Sequence, residues 1–175
     1  GIMGQLTAQL ARLSGAHVTV GGAAGDGERL ALAKRLGAGA TVDVSQCDLA
    51  ERAREITHGE GFDVVYECAG VSPSADACLK VLRNMGQYVQ VGLFGKTVPF
   101  DMDGALIGEK HIVNSFAADR SSFEITLRLL EARRLALEDL ITAVYPIEDW
   151  EQAVAHVRRR DGYKILLRPG DWAEG

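Results

Sequence analysis

Short β-branched, apolar runs alternate along this chain with longer stretches whose apolar positions recur at helical spacing. Leu6, Leu10 and Leu13 open the pattern as one face of a helix, and residues 17–20 (HVTV) follow as a strand. A helix is predicted over 28–36, a strand over 40–44, and a helix from about 49 to 57. The run 62–68 (FDVVYEC) is a strong strand, bracketed by Gly61 and Gly70. Residues 74–82 read as a helix, with Pro73 where a first helical turn tolerates it. Strands over 86–91 and 111–116 flank an irregular region and a short helix. Residues 119–134 form a long amphipathic helix with Phe123, Leu127 and Leu130 on one face.

Strands separated by helices imply βαβ crossovers, and right-handed crossovers place helices on both faces of a parallel sheet. The expected class is therefore α/β with a doubly wound parallel sheet. The tail breaks the rhythm. A strand over 141–145, a helix over 148–160 and a strand over 163–167 make a small β-α-β appendix. It either extends the same sheet or belongs to a neighbouring domain, and the pattern does not choose.

Composition narrows the function. A formal net charge of −5 argues against a general nucleic-acid surface. The one basic run, Arg158, Arg159 and Arg160, ends a helical pattern, where cations complement the helix dipole. No apolar stretch approaches the roughly 20 residues of a bilayer span. The opening residues lack the basic flank and apolar segment of a signal peptide. Cys47, Cys68 and Cys78 are odd in number, and Cys68 ends an apolar run. A reduced, cytoplasmic protein is expected, with Cys68 a small buried hydrophobe rather than a ligand or nucleophile.

Gly1, Ile2, Met3 and Gly4 stand immediately before the first helix. Such a Gly-x-x-Gly is as often a packing device as a phosphate site. Its functional reading is physical: free amides and the dipole at a helix N-terminus stabilise an anion, and glycine admits a close approach. A complete dinucleotide fingerprint needs another glycine two residues before Gly1, and a strand before that. The chain is therefore expected to begin inside the motif and to lack the sheet's first, central strand. Two unpaired edges and an unfilled core would follow, with instability or aggregation as the consequence.

Further segments occur in a telling order: ERLALAKRLGA over 28–38, FDVVYECAG over 62–70, VQVGLFG over 89–95 and GYKILL over 162–167. With the opening glycines, this ordered set resembles the medium-chain, zinc-type alcohol and polyol dehydrogenases, most of all the sorbitol and threonine dehydrogenase branch. The resemblance covers nearly the whole chain. It implies a Rossmann-like coenzyme domain over 1–138, and a segment over 139–175 that returns to a GroES-like catalytic domain outside this sequence.

The resemblance also assigns residues. Gly1, Ile2, Met3 and Gly4 would contact the coenzyme diphosphate through their amides. The acidic residue that normally ends the second strand of the fold would bind the adenosine ribose, but Gly21 or Gly22 stands there, followed by an inserted 23–27 loop. The usual NAD preference is thereby open, and the cofactor is NAD or NADP. Asp26 is a candidate substitute, and Arg29 is either a solvated cation or a partner of a ribose hydroxyl or 2′-phosphate. Cys68, Ala69 and Gly70 would lie near the coenzyme ribose. Val91, Gly92 and Leu93 would hold the nicotinamide carboxamide, with Ser115 and Phe116 as a second contact. Lys164 either meets the pyrophosphate or is a surface lysine.

Alcohol oxidation in this family uses a zinc Lewis acid. His17, His58, His111 and His156 are scattered, with no Cys or Glu at ligand spacing. The expectation is no metal site, no catalytic residue and no alcohol oxidation by these residues alone, with zinc held in the absent catalytic half. Two alternatives stand beside it. One is a zinc-free quinone or enoyl reductase, which zinc content of the complete protein would separate. The other is a non-catalytic nucleotide-binding or dimerisation module. Family members pair through the last coenzyme strand, here 111–116, so a homo-oligomer is implied. The substrate is not legible.

Overall fold

The computed structural model describes residues 1–170. Helices and strands alternate as α1 (Ile2–Leu13), β1 (Thr19–Gly22), α2 (Gly27–Arg35), β2 (Ala40–Asp43), α3 (Leu49–Ile56), β3 (Phe62–Glu67), α4 (Ser72–Val81), β4 (Leu82–Gln90), α5 (Met102–Ile107), β5 (His111–Asn114) and α6 (Arg120–Glu131). Then come β6 (Ile141–Pro146), α7 (Trp150–Arg159) and β7 (Lys164–Arg168). Every strand pair is parallel. This is the doubly wound, Rossmann-like α/β class expected from the alternation.

Local sequence explains several boundaries. Asp48 caps α3 by accepting from the amides of Ala50 and Glu51, and Asp101 caps α5 through Gly104. Pro73 sits in the first turn of α4. The chain divides by contact into two compact units, one of Met3–Arg128 and one from Leu129 onward. In the second unit β6 and β7 form their own two-stranded sheet, so the appendix extends neither of the other sheets.

In the first unit the strands form two ladders, β1-β2 and β3-β4-β5. Among the described residues no backbone ladder joins β1 to β3. β3 is the edge of its ladder, and its Val64 and Tyr66 are exposed. Buried residues surround both ladders, Leu30, Leu32, Ala33 and Val42 among them at β1-β2, and one cluster lies beside β4. Leu79, Leu82, Tyr88 and Ala105 pack together, with Val65, Cys78 and Phe100 against them, and Tyr88 meets Phe100 edge-on at 5.3 Å.

Three expectations need correction. β1 runs Thr19–Gly22 rather than 17–20, so Gly21 and Gly22 are its last residues. β4 begins at Leu82, directly after α4, because Leu82 pairs with Phe62 before the ladder resumes at Val64 and Gln87. A bulge absorbs the intervening residues, and Met85 takes a left-handed φ of 57° within it. The edge strand expected over 111–116 is β5, His111–Asn114. Ser115 still donates its amide to Gln90, but the backbone turns away at Ala117, whose φ is 57°.

Candidate coenzyme site

Helix α1 carries the opening glycines. Gly1 is its N-cap, and Gln5 is the first residue to donate back, to the Gly1 carbonyl at 3.2 Å. Helix geometry therefore leaves the amides of Ile2, Met3 and Gly4 without intrahelical acceptors. The first turn contains no acidic side chain to compete for them. Free amides at a helix N-terminus suit an anion.

Two contacts fix where that end lies. A Cβ on Gly4 would be 3.9 Å from the Cβ of Cys68, just past β3. On the other flank, Gln5 donates through Nε2 to the Arg29 carbonyl in α2 at 2.7 Å. The first turns of α1 thus lie against the turn after β3 on one side and against α2 on the other. In doubly wound sheets a ligand binds at a divergence of strand order. Gln5 also buries Oε1 without a partner among the described residues.

The turns after β3 and β4 are built against each other. A Cβ on Gly92 would stand 2.4 Å from the Gly70 amide nitrogen and 2.7 Å from Glu67 Oε2. Gly70, at φ +67°, has its own Cβ position 2.5 Å from the Leu93 carbonyl oxygen. Only glycine fits either place. Glu67 is fully buried and organises both turns. Its carboxylate accepts from the amides of Ala69 at 2.9 Å and Gly70 at 3.0 Å, and from Gln90 Nε2 at 2.9 Å. Gln90 also donates to the Gly92 carbonyl and accepts from the Tyr88 hydroxyl. The Glu67 carbonyl receives the amides of Val91 and Gly92.

Glu67 and Gln90 were outside the residues that sequence reasoning selected. The available signal was an acidic residue ending a strongly apolar strand, which requires partners when buried. Cys68 is half-buried and contacts Thr7 Oγ1 at 3.7 Å; burial raises its pKa against that hydrogen bond. Burial, with Ser74 opposing, pushes the Cys78 thiol up to about 12.

At the end of β1, Gly22 is followed by the 23–26 loop. Partial burial raises the Asp26 pKa, but the Ala23 amide and the Arg29 guanidinium together outweigh it and hold the carboxyl below its ordinary value. Arg29 Nη1 meets Asp26 Oδ1 at 2.8 Å.

The structure sets Gly4 against Cys68, Gln5 against Arg29, and Gly22 against Asp26 and Leu30. It brings Cys68, Ala69 and Gly70 together with Val91, Gly92 and Leu93. Ser115 lies beside Gln90 at the end of β5, while Phe116 projects with 80% of its surface exposed. Lys164 opens β7 in the second unit, in register with Ile141. Among the described residues no group of three or more His, Cys, Asp or Glu side chains converges to hold a metal. A helix N-terminus with free amides beside a glycine-lined turn fits a dinucleotide.

Comparison with known proteins accords with this geometry. Residues 3–132 match the family model described as zinc-binding dehydrogenase. The sorbitol dehydrogenase of Halalkalibacterium halodurans is 34% identical over 172 residues, covering 98% of this chain and 50% of that relative. The D-arabitol-phosphate dehydrogenase of Enterococcus avium is 35% identical over 168 residues, covering 95% of this chain and 48% of that relative. Among solved structures, an alcohol dehydrogenase from Thermotoga maritima superposes with a TM-score of 0.87 at 28% identity, covering 97% of this chain and 48% of that one. A putative zinc-binding dehydrogenase from Sinorhizobium meliloti, bound to NADP, gives 0.86 at 27% identity, covering 97% and 50%. The chain spans about half the length of the curated relatives it matches. With its parallel, Rossmann-like core and a family match over most of its residues, the chain belongs to the zinc-binding dehydrogenase family.

Proposed function

We propose that these residues form the coenzyme-binding portion of an oxidoreductase that moves hydride between an alcohol or polyol and NAD or NADP. The observation that carries this reading is the N-terminus of α1, held with Gly4 against Cys68 and Gln5 bonded to the Arg29 carbonyl of α2. The nicotinamide supplies the hydride chemistry when bound. The amides of Ile2, Met3 and Gly4 bind the diphosphate, and the Glu67-stapled turns hold the ribose and carboxamide through Cys68, Ala69, Gly70, Val91, Gly92 and Leu93. Ser115, Phe116 and Lys164 are further contacts in this reading. Residues 1–138 make the coenzyme domain, 139–175 return to a catalytic domain, and zinc belongs to that domain. Three free cysteines, and no helix among the described residues long and apolar enough to cross a membrane, support a cytoplasmic setting.

A homo-oligomer through β5 forms part of the proposal. Ile112 and Val113 are exposed on this edge strand, and no residue of α6 is buried, which leaves Phe123, Ile125 and Leu127 uncovered.

Titration of the polypeptide carrying these residues with NADH and NADPH, followed by coenzyme fluorescence and melting temperature, tests the reading. Saturable binding of either coenzyme with a raised melting temperature is expected. A folded protein that binds neither refutes it.

A further inference from the structure

We propose that Asp26 determines coenzyme selectivity: reaching over Gly22, it accepts the adenosine-ribose diol and holds Arg29 away from a 2′-phosphate, so the site takes NAD in preference to NADP. This inference rests on the coenzyme reading above.

Gly22 ends β1, where an acidic side chain would ordinarily meet the ribose. A Cβ on Gly22 would stand 3.0 Å from the Cβ of Asp26 and 3.0 Å from Leu30 Cδ2. The space a side chain at 22 would enter is therefore already occupied. The 23–26 loop brings a carboxylate back to the strand end, and glycine at 22 is what makes room for it.

That carboxylate is oriented from two sides. Oδ2 accepts from the Ala23 amide at 3.0 Å, and Oδ1 accepts from Arg29 Nη1 at 2.8 Å. A carboxylate offers about four lone-pair sites, so acceptor capacity remains for a ribose diol. The side chains of Asp26 and Arg29 are 27% and 29% exposed, open enough to meet a ligand and buried enough to be fixed. Gln5 of α1 donates to the Arg29 carbonyl at 2.7 Å, which sets the pair close to the proposed diphosphate site.

Charge decides between the two coenzymes. Asp26 and Arg29 are formally neutral together. A 2′-phosphate carries about −1.5 to −2 at neutral pH and would face the Asp26 carboxylate while competing with it for Arg29. A ribose hydroxyl needs only an acceptor and leaves the pair intact.

The test is the dissociation constant for NADH and for NADPH, by coenzyme fluorescence, in the full-length wild type, Asp26→Asn and Arg29→Ala, with melting temperature as the control for folding. Wild type is expected to bind NADH at least about tenfold more tightly, the scale of one charge-assisted hydrogen bond. Asp26→Asn keeps an acceptor for Ala23 but removes the charge, so the preference should fall about tenfold or invert. Arg29→Ala leaves the carboxylate in place and should keep the NADH preference. Equal binding or an NADPH preference in wild type overturns the proposal. So does an unmoved ratio in Asp26→Asn, or loss of NADH preference in Arg29→Ala. Wild type that binds neither coenzyme removes the coenzyme reading itself.

Discussion

Gly92→Ala is the most searching single substitution for the architecture of this site. The added methyl would lie 2.4 Å from the Gly70 nitrogen, 2.7 Å from Gly70 Cα and 2.7 Å from Glu67 Oε2, all well inside van der Waals contact. Two of those atoms are backbone and the third belongs to a buried carboxylate, so no flexible side chain can yield. Relief requires the turns after β3 and β4 to separate. Separation strains the bonds from the Gly92 amide to the Glu67 carbonyl (2.8 Å), from the Gly70 amide to Glu67 Oε1 (3.0 Å) and from Gln90 Nε2 to the Gly92 carbonyl (2.6 Å). Overpacking costs about 1–3 kcal/mol, and each strained bond about 1 kcal/mol more at most. The expected destabilisation is about 3–5 kcal/mol. With a urea m-value of roughly 2–3 kcal/mol/M, the unfolding midpoint should fall by about 1–2 M. Equilibrium unfolding followed by circular dichroism reads this directly. Gly21→Ala is the control: its Cβ would meet nothing within 4 Å, and its midpoint should hold or rise slightly. A Gly92→Ala midpoint within about 0.3 M of wild type, or an equal loss in Gly21→Ala, would refute the account of the paired turns.

Glu67→Ala should cost about 3–5 kcal/mol, because the Ala69 and Gly70 amides and Gln90 Nε2 each lose the same buried acceptor; urea unfolding in which it behaves like a surface change would contradict that role. At pH 8, alkylation read by mass spectrometry should label exposed Cys47 well before Cys78, whose thiol is pushed up to about 12. The same shift has a linkage consequence. The Cys78 thiol is neutral in the fold up to its raised pKa, whereas an unfolded thiol ionises from about 9.0, so this contribution to stability is present below pH 9 and lost as pH rises towards 12. A midpoint that does not fall across that range would count against burial of this thiol. Ile112→Lys on β5 should shift the sedimentation coefficient towards a smaller species, and an unchanged oligomer would move the interface elsewhere.

The sequence by itself determined the class of fold and the family. Both are written in local, repeating information: β-branched runs such as 62–67, helical periodicity, and glycine-containing segments in a fixed order. It also placed Gly4, Cys68, Gly70 and Gly92 at the ends of their elements, because apolar runs stop visibly at small residues. What it left open depends on contacts between residues far apart in the chain. The α/β rhythm is the same whether the appendix joins the main sheet or makes its own, and only strand pairing showed β6 and β7 bonded to each other. Glu67 looks like the polar end of a strand until the amides of Ala69 and Gly70 and the side chain of Gln90 are seen converging on it. Gly22 reads as the loss of a ribose acceptor, whereas in space Asp26 fills the volume that glycine leaves free. Periodicity reports which face of an element is apolar; it carries no record of which atoms from another element will satisfy a buried charge or occupy a missing side chain's place.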